Sequence, residues 1–138
     1  MAILGLSMAN ILVVDDERDV VTLMKFILEK DGHSVWEAYN GLEALERLGV
    51  EPKNAAAPHP DLVILDVMMP SVDGYTVSKK MSEDPRAKGV PIIVLTAKGQ
   101  MKDLFGAVPS VAAYVEKPFD PKNLRDTVAA ILTKGRGS

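Results

Sequence analysis

Asp15 and Asp16 stand side by side directly after the apolar run Ile11–Val14. Two like charges about 4 Å apart repel by roughly 4 kcal/mol at an effective dielectric near 20. Such a pair needs either helix N–H groups to cap or a cation to hold. Further along, the residue that closes or shortly follows each of three more apolar runs is also polar. Asp66 follows Leu62–Leu65, Thr96 follows Pro91–Leu95, and Lys117 lies just beyond Ala112–Val115. Three carboxylates offer oxygen ligands to a hard divalent cation. Mg²⁺ takes one or two of them, keeps several waters, and leaves room for a phosphoryl group. A carboxylate can attack phosphorus and become an aspartyl phosphate, which is the chemistry expected of Asp66. The Lys117 ammonium and the Thr96 hydroxyl would meet the charge that the new group brings.

Taken singly, each residue has a plain structural explanation. Asp16 suits the cap of a following helix, with Asp19 at its third position. Asp66 suits a turn before Met68-Met69-Pro70, Thr96 a helix cap, and Lys117 the surface. Their recurrence at successive strand ends is what capping needs do not explain.

The elements that must position these residues alternate along the chain. Apolar runs give strands at about Ile11–Val14, Ser34–Ala38, Leu62–Leu65, Pro91–Leu95 and Ala112–Val115. Amphipathic stretches give helices at about Arg18–Lys30, from Gly41, around Gly74–Ser82, a weak fourth at about Gln100–Gly106, and a fifth beginning after Asp120. Gly32 supplies the stop of the first helix. Asp120 as N-cap and Pro121 at the first position start the fifth. Near-continuous apolar strands imply a parallel sheet covered on both faces. The expected architecture is an α/β, doubly wound, five-stranded parallel sheet of flavodoxin-like order 2-1-3-4-5. Right-handed crossovers then put helices on both faces. In such sheets the crevice lies at the carboxyl ends of the strands, where the five polar residues fall. Lys117 is then two strands from Asp66, roughly 10 Å at the backbone, a gap its long stem can span.

The 138 residues suit one domain, and 47% hydrophobic with 25% charged content marks a globular chain. The net charge of -3 carries no basic stripe and argues against direct nucleic-acid binding. The absence of cysteine excludes disulfides and thiolate metal sites. Residues 1–8 are apolar but too short for a membrane span and lack a basic start, and they read as an N-terminal arm with Met8 as a second candidate start. Residues 9–134 form the domain, and residues 135–138 a tail or cloning remnant. A soluble cytoplasmic protein is expected. Residues 51–60, with three prolines, form a long loop without an assigned role.

Four stretches together resemble the response-regulator receiver domain of two-component signalling, and are similar to the single-domain chemotaxis regulators. They are Ile-Leu-Val-Val-Asp-Asp-Glu at 11–17, the segment 61–74 ending in Asp-Gly, Pro-Ile-Ile-Val-Leu-Thr-Ala-Lys at 91–98, and Ala-Tyr-Val-Glu-Lys-Pro-Phe at 113–119. The resemblance implies that Asp66 accepts a phosphoryl group from a histidine kinase or phosphotransfer protein. It implies Mg²⁺ at Asp15, Asp16 and Asp66, completed by the backbone carbonyl of Met68. Thr96 and Tyr114 become the switch pair and Lys117 the essential lysine, with a cis Lys117–Pro118 bond. The helix 4–strand 5–helix 5 face is then remodelled for a downstream protein target. No membrane partner is implied. The alternative is a receiver module cut from a larger response regulator or hybrid kinase.

Lesser features carry their own expectations. Val20, Val21, Leu23, Met24, Phe26, Ile27 and Leu28 exceed one core stripe of the first helix, so some stay exposed. The resemblance makes that surface a phosphodonor contact; packing against the 51–60 loop is the alternative. His33 and His59 read as separate, unpartnered surface residues, and Trp36 as a packing residue. Met68 and Lys98 flank the path of hydrolytic water, so self-dephosphorylation should not be fast. Two other classes fit poorly. A phosphatase of the haloacid-dehalogenase type needs Asp-x-Asp after its first strand. A flavin or nucleotide carrier needs a phosphate loop there, where Asp-Asp-Glu would repel the ligand.

Overall fold

The computed structural model describes residues 9–97 and 110–137, the side chains of 135–137 excepted. Five parallel strands form one sheet in the order β2-β1-β3-β4-β5. They are β1 (Asn10–Val14), β2 (Ser34–Ala38), β3 (Leu62–Asp66), β4 (Ile92–Ala97) and β5 (Val111–Lys117). The helices are α1 (Arg18–Lys30), α2 (Gly41–Arg47), α3 (Gly74–Ser82) and α4 (Pro121–Gly137). The expected helix at Gln100–Gly106 falls outside the described residues, so the expected fifth helix is α4 here. The Met1–Met8 arm falls outside them too. Among the described residues no helix is long and apolar enough to cross a membrane.

Alternation along the strands sorts the apolar residues between the two faces. Leu12, Val14, Val63, Leu65 and Val94 pack with Ala44 and Leu45 of α2, Leu48 just after it, and Val77 and Met81 of α3. Ile11, Val13, Leu62, Ile64, Ile93, Leu95 and Val115 pack with Val21, Met24 and Leu28 of α1 and Leu124, Val128 and Leu132 of α4. Both faces are therefore dry, which is why the central strands carry no polar alternation. Leu12 is fully buried in the first of these layers. Leu12→Ala is expected to cost about 2–5 kcal/mol through lost burial and the cavity left behind, read as a lower urea midpoint with an unchanged m value.

The helix starts follow cap chemistry, with one exception. Asn40 Oδ1 accepts from the Glu43 N–H at 2.9 Å while Glu43 Oε1 accepts from the Tyr39 N–H at 2.7 Å, a reciprocal box. Asp73 Oδ1 accepts from the Thr76 N–H at 2.8 Å, and Asp120 Oδ2 from the Asn123 N–H at 3.0 Å, as expected for Asp120. The exception is α1. Its N-cap is Glu17, whose side chain makes no cap hydrogen bond. The helix begins at Arg18, as expected, and Glu17 rather than Asp16 stands at its N-cap.

The surface reading of the two histidines needs correction. His33 is buried, and its Nδ1 accepts from the Ala9 N–H at 3.4 Å, since the chain entering β1 runs directly over it. His59 is half-buried, its Nε2 sealed from solvent without a hydrogen-bond partner. The 51–60 loop, to which the sequence assigns no role, is tied down at both sides. Lys80 Nζ donates to Glu51 Oε1 at 2.8 Å, and the Arg86 guanidinium donates to the carbonyls of Asn54 and Ala57. Trp36 packs against the α2–α3 layer as expected.

Candidate functional site

The register brings the polar strand ends together. Val14 lies beside both Ala38 and Leu65, and Asp66 lies beside Leu95. Asp15 therefore follows β1 next to the end of β3. Lys117 closes β5, beside Ala97 and two strands from Asp66. Continued alternation turns Asp15, Asp66 and Lys117 towards the α1–α4 face, and Thr96 and Tyr114 towards the α2–α3 face. Gly74 lets α3 start hard against this edge. A Cβ there would overlap the Asp66 carbonyl oxygen, so only glycine admits the loop 67–73 beside the site.

Asp15, Asp16 and Asp66 each offer a carboxylate oxygen, and these oxygens lie within 4.8 Å of one another. Asp15 and Asp66 are buried and Asp16 is exposed, so the cluster opens to solvent at one corner. Lys117 Nζ lies 2.8 Å from Asp15 Oδ2, 3.1 Å from Glu17 Oε1 and 3.5 Å from Asp66 Oδ2. The Asp15 contact is a close charge pair whose alignment leaves Oδ2 without a directed hydrogen bond. Asp15 Oδ1 accepts from the Glu17 N–H at 2.9 Å, and Asp66 Oδ1 from the Met68 N–H at a long 3.4 Å. The donor set is all oxygen, with lone pairs on buried Asp15 left over. It fits a hard cation such as Mg²⁺ and not a soft one.

Burial, then the Asp15 charge, push the Asp66 carboxyl up to about 6, against the pull of Lys117 and the Met68 N–H. Burial works against the Lys117 ammonium, yet its close contacts with Asp15 and Glu17 and the charges of Asp66 and Asp15 hold its pKa above the ordinary lysine value. The Asp66 carboxylate is thus an uncomfortable anion at neutral pH, and the lysine a permanent cation. Thr96 is buried, and its Oγ1 has no hydrogen-bond partner. A buried hydroxyl left unpaired costs about 1–3 kcal/mol, so this donor lacks an acceptor that the site itself does not supply.

Of the site residues expected from the sequence, Asp15, Asp16, Asp66, Met68, Thr96, Tyr114 and Lys117 fall at or beside this edge, and Lys98 lies outside the described residues. Lys117–Pro118 is cis as expected. Tyr114 is half-buried on the edge strand, beside Val94 and two positions short of the residue paired with Thr96. Met68 is exposed beside Asp66. Glu17 was not anticipated as a partner of Lys117. Its only signal in the sequence is its place as the third acid in Asp-Asp-Glu.

The profile of the response regulator receiver domain matches residues 11–129. Over 126 residues the chain is 40% identical to the alkaline phosphatase synthesis transcriptional regulatory protein PhoP of Bacillus subtilis, covering 91% of this chain and 49% of that protein. It is 32% identical to the protein PilH of Pseudomonas aeruginosa, covering 91% of this chain and 98% of PilH. Thus it spans about half the length of some curated relatives and nearly all of another. The chemotaxis response regulator CheY4 of Vibrio cholerae superposes with a TM-score of 0.79 at 29% identity, over 90% of this chain and 98% of that one. A response regulator structure from Chloroflexus aurantiacus gives 0.77 at 35% identity, over 91% and 98% of the two chains.

Proposed function

The chain belongs to the response regulator receiver domain family of two-component signalling, and from that premise we propose that Asp66 is its phosphoacceptor. As a receiver domain the chain is a signalling switch rather than a turnover enzyme. The observation that carries the residue assignment is the convergence of Asp15, Asp16 and Lys117 on the Asp66 carboxylate. With its pKa near 6, Asp66 is ionised at neutral pH and able to attack. Its oxygen forms a bond to phosphorus, and the bond from phosphorus to the donor nitrogen of a phosphohistidine breaks. Asp15, Asp16, Asp66 and the Met68 carbonyl would hold Mg²⁺, which supplies charge neutralisation to the transferring group when bound. Lys117 pairs with a phosphoryl oxygen, and the Thr96 hydroxyl donates to another, which gives its unpaired donor an acceptor.

Thr96 and Tyr114 share one face of adjacent strands. Movement of Thr96 towards the phosphoryl group frees space that Tyr114 can fill, and the β5–α4 face changes with it. That face is the output surface for a downstream protein. The exposed Leu23 and Phe26 of α1 form the surface for the histidine kinase or phosphotransfer protein. We place the domain at residues 9–134 and its action in the cytoplasm. Whether it acts alone, as the PilH match favours, or within a longer regulator, as the PhoP match favours, is read from the full-length protein.

Incubation with a small phosphodonor and Mg²⁺ tests this reading. One phosphoryl group per chain is expected by mass spectrometry, and none on Asp66→Asn. Sustained donor turnover, or an adduct that survives Asp66→Asn, overturns it. The exposed Met68 side chain offers no group to orient water at the acyl phosphate. The adduct is therefore expected to decay over minutes or longer, and a half-life of seconds would count against that role.

A further inference from the structure

Glu17 occupies the N-cap of α1, a place where Ser, Thr, Asp or Asn would satisfy the first free N–H groups. Its side chain makes no cap hydrogen bond. It reaches instead across the sheet edge to Lys117, a residue 100 positions away, with Oε1 3.1 Å from Nζ. Helix stability is thus given up at this one start, while α2, α3 and α4 all keep side-chain caps.

Lys117 has three N–H donors. Three carboxylates surround it: Asp15 at 2.8 Å, Glu17 at 3.1 Å and Asp66 at 3.5 Å. Only the Glu17 contact is a directed hydrogen bond; Asp15 is a close charge pair, and the contact to Asp66 is the longest. Asp15 is wholly buried, whereas the Glu17 side chain is 63% exposed. When a phosphoryl oxygen claims an N–H, the Glu17 contact is the one released at least cost, because water can replace it.

We propose that Glu17 is a positioning residue that holds Lys117 at the rim in competition with the phosphoryl group. Its carboxylate disfavours an anion on Asp66 twice over, by occupying a Lys117 donor and by its own charge. The same charge favours a cation among Asp15, Asp16 and Asp66. Glu17 therefore biases the domain towards the metal-loaded, unphosphorylated state. This inference rests on the phosphoacceptor reading of Asp66.

Calorimetric titration separates the two arms. Mg²⁺ is titrated alone, and then beryllofluoride, a phosphoryl mimic, at saturating Mg²⁺. The proteins are the wild type, Glu17→Gln, and Glu29→Gln as a control for net charge on the exposed side of α1. Exposed ion pairs of this kind shift binding modestly, so Glu17→Gln is expected to bind Mg²⁺ about two- to fivefold more weakly and beryllofluoride about two- to fivefold more tightly. Glu29→Gln is expected to change neither. A purely structural role for Glu17 would not move the two ligands in opposite directions. Wild-type protein that binds no beryllofluoride with Mg²⁺ overturns the phosphoacceptor reading, and this inference with it. A wild type that binds, with Glu17→Gln equal to it in both titrations or shifted the same way in both, overturns this inference alone.

Discussion

Asp66→Asn is expected to stabilise the metal-free protein at pH 7.5 by about 1–3 kcal/mol. The carboxyl is buried beside Asp15, which raises its pKa from 3.8 to about 6. Below pH about 3.8 the folded and unfolded chains both hold the proton, and no penalty arises. Between about 3.8 and 6 the unfolded chain releases its proton first, so stability falls as pH rises. Above about 6 both states are ionised and the penalty is complete. Asparagine keeps the shape of the protonated acid and never ionises. The variant's advantage should thus be absent near pH 3.5, grow through pH 4–6 and level off. Urea unfolding of both proteins in chelator, repeated across this range, reads the difference directly, with other titrating groups cancelling. Saturating Mg²⁺ should shrink the advantage, because the cation offsets the Asp15–Asp66 repulsion only in the wild type. A variant no more stable than wild type at pH 7.5 would show that Lys117 already neutralises the pair.

This balance explains which parts of the site were legible in the sequence. Strand ends follow from long apolar runs, and a parallel sheet then brings their next residues to one edge. Asp15, Asp66, Thr96 and Lys117 needed only the period of two and the strand order. The start of α1 at Arg18 was legible, but the residue at its cap was less so. Asp16 looks as good a cap as any acid, and only the local bond of Asp15 Oδ1 to the Glu17 N–H and the reach of Lys117 across the edge show that the acids there serve the site. His33 was misread for a related reason. A lone histidine between Gly32 and Ser34 carries no periodic signal, and its burial depends on the chain of Ala9 crossing it. The anchoring of the 51–60 loop rests on Arg86 and Lys80, some thirty residues on by the hydrogen-bond spacing of 29 and 32. Contacts made by one long side chain to distant carbonyls leave no pattern in a sequence.

Lys117→Ala carries the other large effect, and its sign depends on the metal. In the metal-free protein, Lys117 is the cation nearest to the buried Asp15 and Asp66 carboxylates among the described residues. Removing one partner of a buried ion pair leaves the other charges uncompensated, which typically costs 3–5 kcal/mol. The Lys117 side chain is 21% exposed, so water recovers part of that, and a loss of about 2–4 kcal/mol is expected at pH 7.5. The Asp66 carboxyl should also rise further, since the lysine that lowers it is gone. The loss should therefore be smaller near pH 4, where Asp66 accepts a proton and the repulsion with Asp15 disappears. A divalent cation can replace the missing charge. Mg²⁺ should then stabilise Lys117→Ala more than it stabilises the wild type, because binding to the folded state alone adds RT ln(1 + [L]/Kd) and the variant binds more tightly. Thermal unfolding with and without Mg²⁺ measures both quantities. Lys117→Met keeps most of the buried stem and separates lost charge from lost packing. If the alanine and methionine variants are equally unstable without metal and equally rescued by it, the ammonium is what balances the acids. If methionine alone restores wild-type stability, the stem does, and Asp15 and Asp66 are kept apart by solvent rather than by Lys117.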